Sequence, residues 1–350
     1  MQHRGVHYDA GTTFRGPGYA ISTRRADLNP SVVRRELQII RDDLHANAVR
    51  VVGSDVDRLV AVAQIALDVG LEVWFAPSYF EYSPLATSAR VVAAARAVAP
   101  LEVAHPGRVI IIVGAELTLF MKGLVAGRSV TERLDTVRAD PSRLADGRLD
   151  AYLAGLVPAV RAVFDGPLTY ASLLFERVDW TLFDYVGVDH YRDARNADRY
   201  VDALAPFLAT GRPVIVTEFG MRTFVGAASS GALGFGIMDT TRLWLHTRPV
   251  IGRVVRARVR AGFHRDENVQ ARELDATLDE LERAGVAGAL LSTFVTPEAR
   301  TDDDPRYDVD MDSMSLVSSL PAGRHGTTYP DMTWEPKQSF WVVARHFGAT

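Results

Sequence analysis

A chain of 350 residues, 47% of them hydrophobic and 23% charged, is long enough to bury one large core or two small ones. Its formal net charge of -4 offers no broad basic field for nucleic acid, and the absence of cysteine excludes disulfides, thiolate catalysis and cysteine-ligated metals together. The longest apolar runs are about the length of Val109 to Val113, far below the roughly 20 residues of a membrane helix, and the opening MQHRGVHYDA lacks the apolar core of a signal peptide, so the expectation is a soluble, cytoplasmic protein.

In chain order, eight short runs rich in β-branched and aromatic residues read as strands: Arg4 to Asp9, Asn47 to Gly53, Leu71 to Ser78, Arg108 to Glu116, Pro167 to Ser172, Tyr185 to Tyr191, Pro213 to Phe219 and Gly288 to Val295. Longer segments of helical periodicity separate them. After the first strand, Asn29-Pro30 supplies a cap and an N1 proline ahead of Val33, Leu37, Ile40 and Leu44, which share one helical face. After the second, Ser54 to Asp57 reads as a variant capping box, with Gly70 closing that helix. Leu274, Leu278 and Leu281 form a stripe that ends near Gly285.

Eight strands alternating with helices predict a parallel (β/α)8 barrel, here one domain over residues 1–350. A doubly wound sheet would carry G-x-G-x-x-G after its first strand, whereas HYDAGTTFRGPGYA spaces its glycines otherwise. Two connections exceed ordinary length, Arg222 to about Asp266 after strand seven and Thr296 to about Pro336 after strand eight. Both follow strand C-termini, the end at which barrels build their sites, and are expected to shape a pocket. The arginine-rich Ile251 to Arg260 and the acidic TDDDPRYD are expected to be solvated; the latter lacks the glycine turn and terminal glutamate of an EF-hand loop.

At the predicted strand ends the chain is unusually polar: His7, Tyr8 and Asp9; Arg50; Ser78 and Tyr79; Glu116; Asp189, His190 and Tyr191; Glu218; Thr293. Glu116 and Glu218 end two of the most apolar strands, where a carboxylate is costly unless it is paired, hydrogen-bonded or facing a cavity. Strands four and seven share one barrel mouth, so the two groups can converge on one substrate. Such a pair suits glycosidic bond cleavage, one carboxyl donating a proton to the leaving oxygen and the other attacking the anomeric carbon.

With these motifs the chain resembles the clan A glycoside hydrolases. VIVTEFG is similar to that clan's nucleophile motif and IIIVGAEL stands where its acid/base motif is expected, which implies Glu218 as nucleophile and Glu116 as acid/base. DYVGVDHY looks like the sixth-strand segment whose final tyrosine contacts the nucleophile, here Tyr191, and NAVRV places Arg50 where the clan's second-strand arginine helps to hold the nucleophile ionised. Trp334 to Phe347 and Tyr307 to Val317 resemble closing segments of such enzymes. Three positions depart from the pattern: Ala115 where an asparagine commonly binds the sugar 2-hydroxyl, Asp189 where asparagine is frequent, and Phe294 where a tryptophan platform is frequent. The chain also resembles an actinobacterial group labelled abortive-infection proteins.

The leading expectation is a retaining glycosidase or transglycosidase for a small intracellular glycoside or oligosaccharide. It would need no cofactor, metal, nucleic acid or membrane, and Arg50, Tyr191, Asp189, His7, Tyr8 and Tyr79 would contact the substrate. One alternative is a catalytically idle or repurposed barrel: a carbohydrate or partner binder, for example in phage defence, or a cyclase or lyase of secondary metabolism. The other is a metal-dependent sugar isomerase using Glu116, Asp189, His190 and Glu218, against which Asp189 and His190, as neighbours on a strand, face opposite ways.

Overall fold

Eight parallel strands close into a barrel in simple sequence order in the computed structural model, which describes residues 1–16, 19–23, 28–140, 147–230, 236–246 and 255–349. They are β1 (His3–Gly11), β2 (Ala48–Gly53), β3 (Glu72–Pro77), β4 (Val109–Ala115), β5 (Leu168–Leu173), β6 (Val186–Asp189), β7 (Val214–Phe219) and β8 (Gly288–Leu291). β8 returns to pair with β1, His3 opposite Gly288 and Val6 opposite Leu291. This is the (β/α)8 barrel expected from the alternation.

Each strand has two buried faces, which is why the runs read as nearly continuous apolar sequence. Trp74, Ile110, Ile112, Ile215 and Leu290 fill the barrel interior, while Val6, Tyr8, Val49, Val51 and Phe75 pack outward against the helices. At the N-terminal end of the interior, Glu72 accepts hydrogen bonds from the Trp74 indole at 2.7 Å and from His3 at 2.8 Å. The opposite end stays open and polar.

The local start and stop signals act largely as expected. Asn29 caps the helix Pro30–Asp42 by accepting from the Ser31 amide, and Val33, Leu37 and Ile40 are buried. Gly70 and Gly285 take positive φ at helix ends, where a residue without Cβ carries little strain. The capping box at Ser54 requires correction. Asp55 caps the helix Val56–Asp68, while the Ser54 hydroxyl donates to the Ser78 carbonyl at 2.8 Å and so ties the ends of β2 and β3 together.

The long connections carry structure of their own. The stretch after β7 contains a short helix, Thr240–His246, before the helix Glu267–Ala284. The stretch after β8 contains a hairpin pairing Val317–Ser319 with Trp334–Pro336, ahead of the helix Gln338–Gly348. A further hairpin after β1, Thr13–Gly16 with Tyr19–Ser22, was not expected from the sequence. Fully buried Lys337 and Asp310 pair at 2.9 Å, and Arg265 joins Asp310 at 2.9 Å, so the two long connections are pinned to each other. Part of the arginine-rich segment, residues 251–254, lies outside the described residues. Arg256 and Arg258 within it pair with Asp302 and Asp239. Among the described residues no helix is long and apolar enough to cross a membrane.

Candidate active site

Strict alternation along β7 from Ile215, which faces the barrel interior, would put Thr217 and Phe219 on the inner face. The register prevents this: Val216 pairs with Val188 and Glu218 with Asp189, so β7 carries one residue more than its neighbour. The same surplus appears against β8, where Val216 and Phe219 pair with Ala289 and Leu291. Such a bulge re-aims the following side chains. Glu218 turns into the mouth, Phe219 joins the outer core, and the Thr217 carbonyl becomes available to the interior.

Two side chains take that carbonyl. Arg50, rising from β2, donates to it from Nη1 at 2.8 Å, and His7, from β1, bonds to it through Nε2 at 2.9 Å. A carbonyl can only accept, so His7 carries its proton on Nε2. Burial, followed by the charge of Arg50, holds the imidazole well below its usual range, so it is neutral at pH 7. The same Arg50 nitrogen lies 3.4 Å from Glu218 Oε2 and 3.6 Å from Asp189 Oδ1, so one guanidinium faces two carboxyl groups. The Tyr191 hydroxyl donates to Glu218 Oε1. A hydrogen bond to a charged group contributes about 1.5–3 kcal/mol, so Tyr191→Phe is expected to lower kcat/KM by about 10- to 100-fold. Unchanged steady-state kinetics would assign the tyrosine to packing alone.

Asp189 is fully buried, and its Oδ1 accepts from the Thr217 hydroxyl at 2.7 Å. Burial first, and then the Glu218 charge, push its pKa up to about 7 against the pull of Arg50. An unfolded chain releases this proton near 3.8, so between about pH 4 and 7 the folded state binds more protons and stability falls as pH rises. Asp189→Asn keeps the acceptor for Thr217 and removes the titration. The decline of Tm between pH 4 and 8 is expected to be shallower in that variant than in the wild type, and an unchanged slope would mean that Asp189 is ionised in the folded protein.

Glu116 follows β4 in the left-handed region, with φ of 48°. That conformation costs a residue with a Cβ on the order of 1–3 kcal/mol and persists only where its surroundings impose it. They do so here. β4 also carries one residue more than β5 between Ile112 and Ala115, the Glu116 amide donates to the Ala171 carbonyl at 2.9 Å, and the helix Leu117–Phe120 begins at once. Burial, then the charges of Asp189, Glu218 and Glu176, push the Glu116 carboxyl well above the ordinary carboxylate range.

Glu176, which the sequence reading did not single out, locks this corner. It lies in the turn after β5 and accepts from the Thr118 and Leu173 amides at 3.0 and 2.9 Å, from the Tyr170 hydroxyl at 3.0 Å, and from the Thr118 hydroxyl. Tyr170 in turn accepts from the Leu117 amide at 2.8 Å. The residue after Glu116 is thereby held through Tyr170 and the next directly by Glu176. Nothing in the local sequence marks Glu176, because its role depends on joining β5 to the helical turn after β4, which lies more than 50 residues earlier in the chain.

A cavity of about 560 Å³ opens above these groups. His7, Arg50, Glu116, Asp189, Tyr191 and Glu218 line it, so six predicted site residues meet in one place. Two do not. Tyr8 points outward and its hydroxyl bonds Glu36 on the helix Pro30–Asp42, because it alternates with inward-facing His7. Tyr79 stands beyond the end of β3 and turns toward the helix layer, with its ring 6.4 Å from Tyr82. Phe294 is fully buried against Trp334, with centroids 5.3 Å apart, and offers no platform to the cavity. His190 faces away from the mouth and stacks on Tyr200 at 4.0 Å. Among the described residues, the one group of His, Asp and Glu spaced for a metal ion is Asp279, Glu282 and His346, which belong to the outer helices Glu267–Ala284 and Gln338–Gly348.

No family model matches the chain, and no curated protein matches it. Solved structures do. A GH113 β-1,4-mannanase superposes with a TM-score of 0.59 at 12% identity, covering 100% of this chain and 99% of that one. The GH113 β-mannanase AaManA from Alicyclobacillus acidocaldarius gives 0.54 at 16% identity, covering 91% of each chain. The chain shares the (β/α)8 barrel fold of these mannanases. A β-glucuronidase from Parabacteroides merdae, at 0.59 and 14% identity, matches 99% of this chain, which spans 36% of that larger protein. At such identities the likeness establishes the barrel and leaves the chemistry to the residues in its mouth.

Proposed function

We propose that the protein is a retaining glycoside hydrolase or transglycosidase acting on a small glycoside, with the reaction carried by one barrel domain spanning residues 1–350. The observation that carries this reading is that two carboxyl groups in different surroundings line one cavity. Glu218 is held by a cation and a hydroxyl donor, whereas Glu116, facing the same cavity, is pushed toward its protonated form. A carboxyl pushed toward its protonated form is suited to act as the acid, and one that accepts from a guanidinium and a hydroxyl is positioned to attack.

In the first step Glu218 attacks the anomeric carbon as the glycosidic bond breaks, and Glu116 gives its proton to the departing oxygen. In the second, ionised Glu116 takes a proton from water or an acceptor alcohol, which displaces Glu218 and restores both groups. Arg50 and Tyr191 hold the attacking carboxylate in position.

The test is a panel of 4-nitrophenyl glycosides that includes mannosides and glucuronides, the sugars named by the structural neighbours. It is followed by mass spectrometry after incubation with the matching 2-deoxy-2-fluoro glycosyl fluoride. The expected result is a single covalent label on the peptide that contains Glu218. Turnover with inverted anomeric configuration, or a label elsewhere, would sink the mechanism.

A second reading, a catalytically idle barrel that holds a glycan or a protein partner, is favoured by Ala115, which lines the cavity where the resembling family places a sugar-binding asparagine. Glycan binding without turnover, unaffected by Glu218→Gln, would support it. The phage-defence role suggested by the abortive-infection label belongs to this reading.

A further inference from the structure

The groups around Glu218 occupy one side of the cavity, and on the other side aromatic and aliphatic side chains cluster, with Ser78 and Arg138 the polar residues that also line it from the end of β3 and the helix of Leu134. His7, Arg50, Asp189, Tyr191 and Glu218 come from β1, β2, β6 and β7 and the residues that follow them. Across from them, Phe80 follows β3, and Leu119 and Phe120 belong to the helical turn that begins at Glu116. Leu134, from the helix Val130–Ala139, extends the same wall. Phe14, from the hairpin after β1, stacks on Phe80 with centroids 4.3 Å apart and planes 22° apart, and Phe80 meets Phe120 edge-on at 4.9 Å. All five side chains are half-buried or nearly buried, and Phe175, 39% exposed, adds an apolar lip from the turn after β5.

The position of this wall relative to Glu116 decides its use. The Leu119 and Phe120 amides donate to the Glu116 carbonyl at 2.9 and 3.1 Å, so the wall and the acid/base share one turn of chain. A group that gives its proton to the leaving oxygen has the leaving group beside it. A second sugar could lay one ring face on a phenyl group, but the hydroxyls on its edges would lose water against Leu119, Leu134 and the remaining rings, which cannot replace the hydrogen bonds. An apolar alcohol carries its single oxygen at the glycosidic bond and loses nothing comparable.

We infer that the Phe14–Phe80–Phe120 and Leu134 wall is the leaving-group site, and that the substrate is a glycoside of an apolar alcohol or phenol. The inference rests on the glycosidase reading and on the assignment of Glu116 as acid/base. No further reactant is needed: the alcohol departs with the proton of Glu116, and water completes the cycle.

The test holds the sugar constant and, along the alkyl series, the leaving ability too, so that only apolar surface varies; the disaccharide, a better leaving group than any alkanol, sets the stricter comparison. Ethyl, hexyl and octyl glycosides are compared with a disaccharide, all built on the sugar whose 4-nitrophenyl glycoside is turned over. Full burial of an aliphatic side chain contributes enough to change an equilibrium tenfold or more, so kcat/KM is expected to rise at least about tenfold from ethyl to octyl, with the disaccharide below octyl. Leu134→Asn is expected to shrink the octyl-to-ethyl ratio, which does not depend on the fraction of folded enzyme. A flat series, a better disaccharide or a ratio unmoved by Leu134→Asn overturns the leaving-group assignment and leaves the glycosidase reading standing. Absence of turnover with every glycoside, together with absence of fluorosugar labelling, overturns both.

Discussion

Glu218→Gln is expected to lower kcat by about 10⁴- to 10⁶-fold, the scale of losing a group that forms the covalent intermediate, and to abolish fluorosugar labelling. The amide keeps an oxygen for the Tyr191 hydroxyl but has no negative charge with which to attack. The fold should survive, because Arg50 retains a second carboxyl partner in Asp189 at 3.6 Å. With the Glu218 charge gone, one of the two main influences that push Asp189 up disappears while the pull of Arg50 remains. Asp189 is therefore expected to titrate lower in the variant, which matched Tm–pH curves of the two proteins would show. Activity within tenfold of the wild type would remove Glu218 from the chemistry.

Glu116→Ala is expected to act according to the leaving group. For alkyl glycosides, which need a proton at the departing oxygen, kcat/KM should fall by about 10²- to 10⁴-fold. For a dinitrophenyl glycoside, whose phenolate leaves unaided, bond cleavage should be nearly unaffected and the glycosyl-enzyme should accumulate. Azide, which needs no general base, should then restore turnover and give a glycosyl azide of retained configuration. The pH profile supplies an independent check. Glu116 must be protonated for the first step, so activity is present below its raised pKa and lost as pH rises through it, and this basic limb of kcat/KM should vanish in the variant. A uniform loss across all leaving groups, with the limb intact, would make Glu116 a structural residue.

The number and order of strands, the helices between them and the strands that end in Glu116 and Glu218 were all legible in the sequence. These features are set within a few residues: β-branched runs extend, capped periodic segments coil, and alternation along β6 turns Asp189 inward and His190 outward. The same alternation, applied to β1, separates His7 from Tyr8, so that error lay in the reading and not in the signal.

Other features belong to the tertiary structure alone. The extra residue at Thr217 reverses the faces of β7, since counting from Ile215 would send Phe219, and not Glu218, into the mouth. A bulge is fixed by pairing with neighbouring strands, which no single segment encodes. Glu176 is placed by partners from β5 and from the start of the helix after Glu116, and the apolar wall is assembled from the connections that follow β1, β3, β4 and β5. Sequence determined the scaffold and its two carboxylates because local backbone preference decides them. The direction of those side chains, the protonation that follows from burial, and the surface facing the leaving group arise only when distant segments meet.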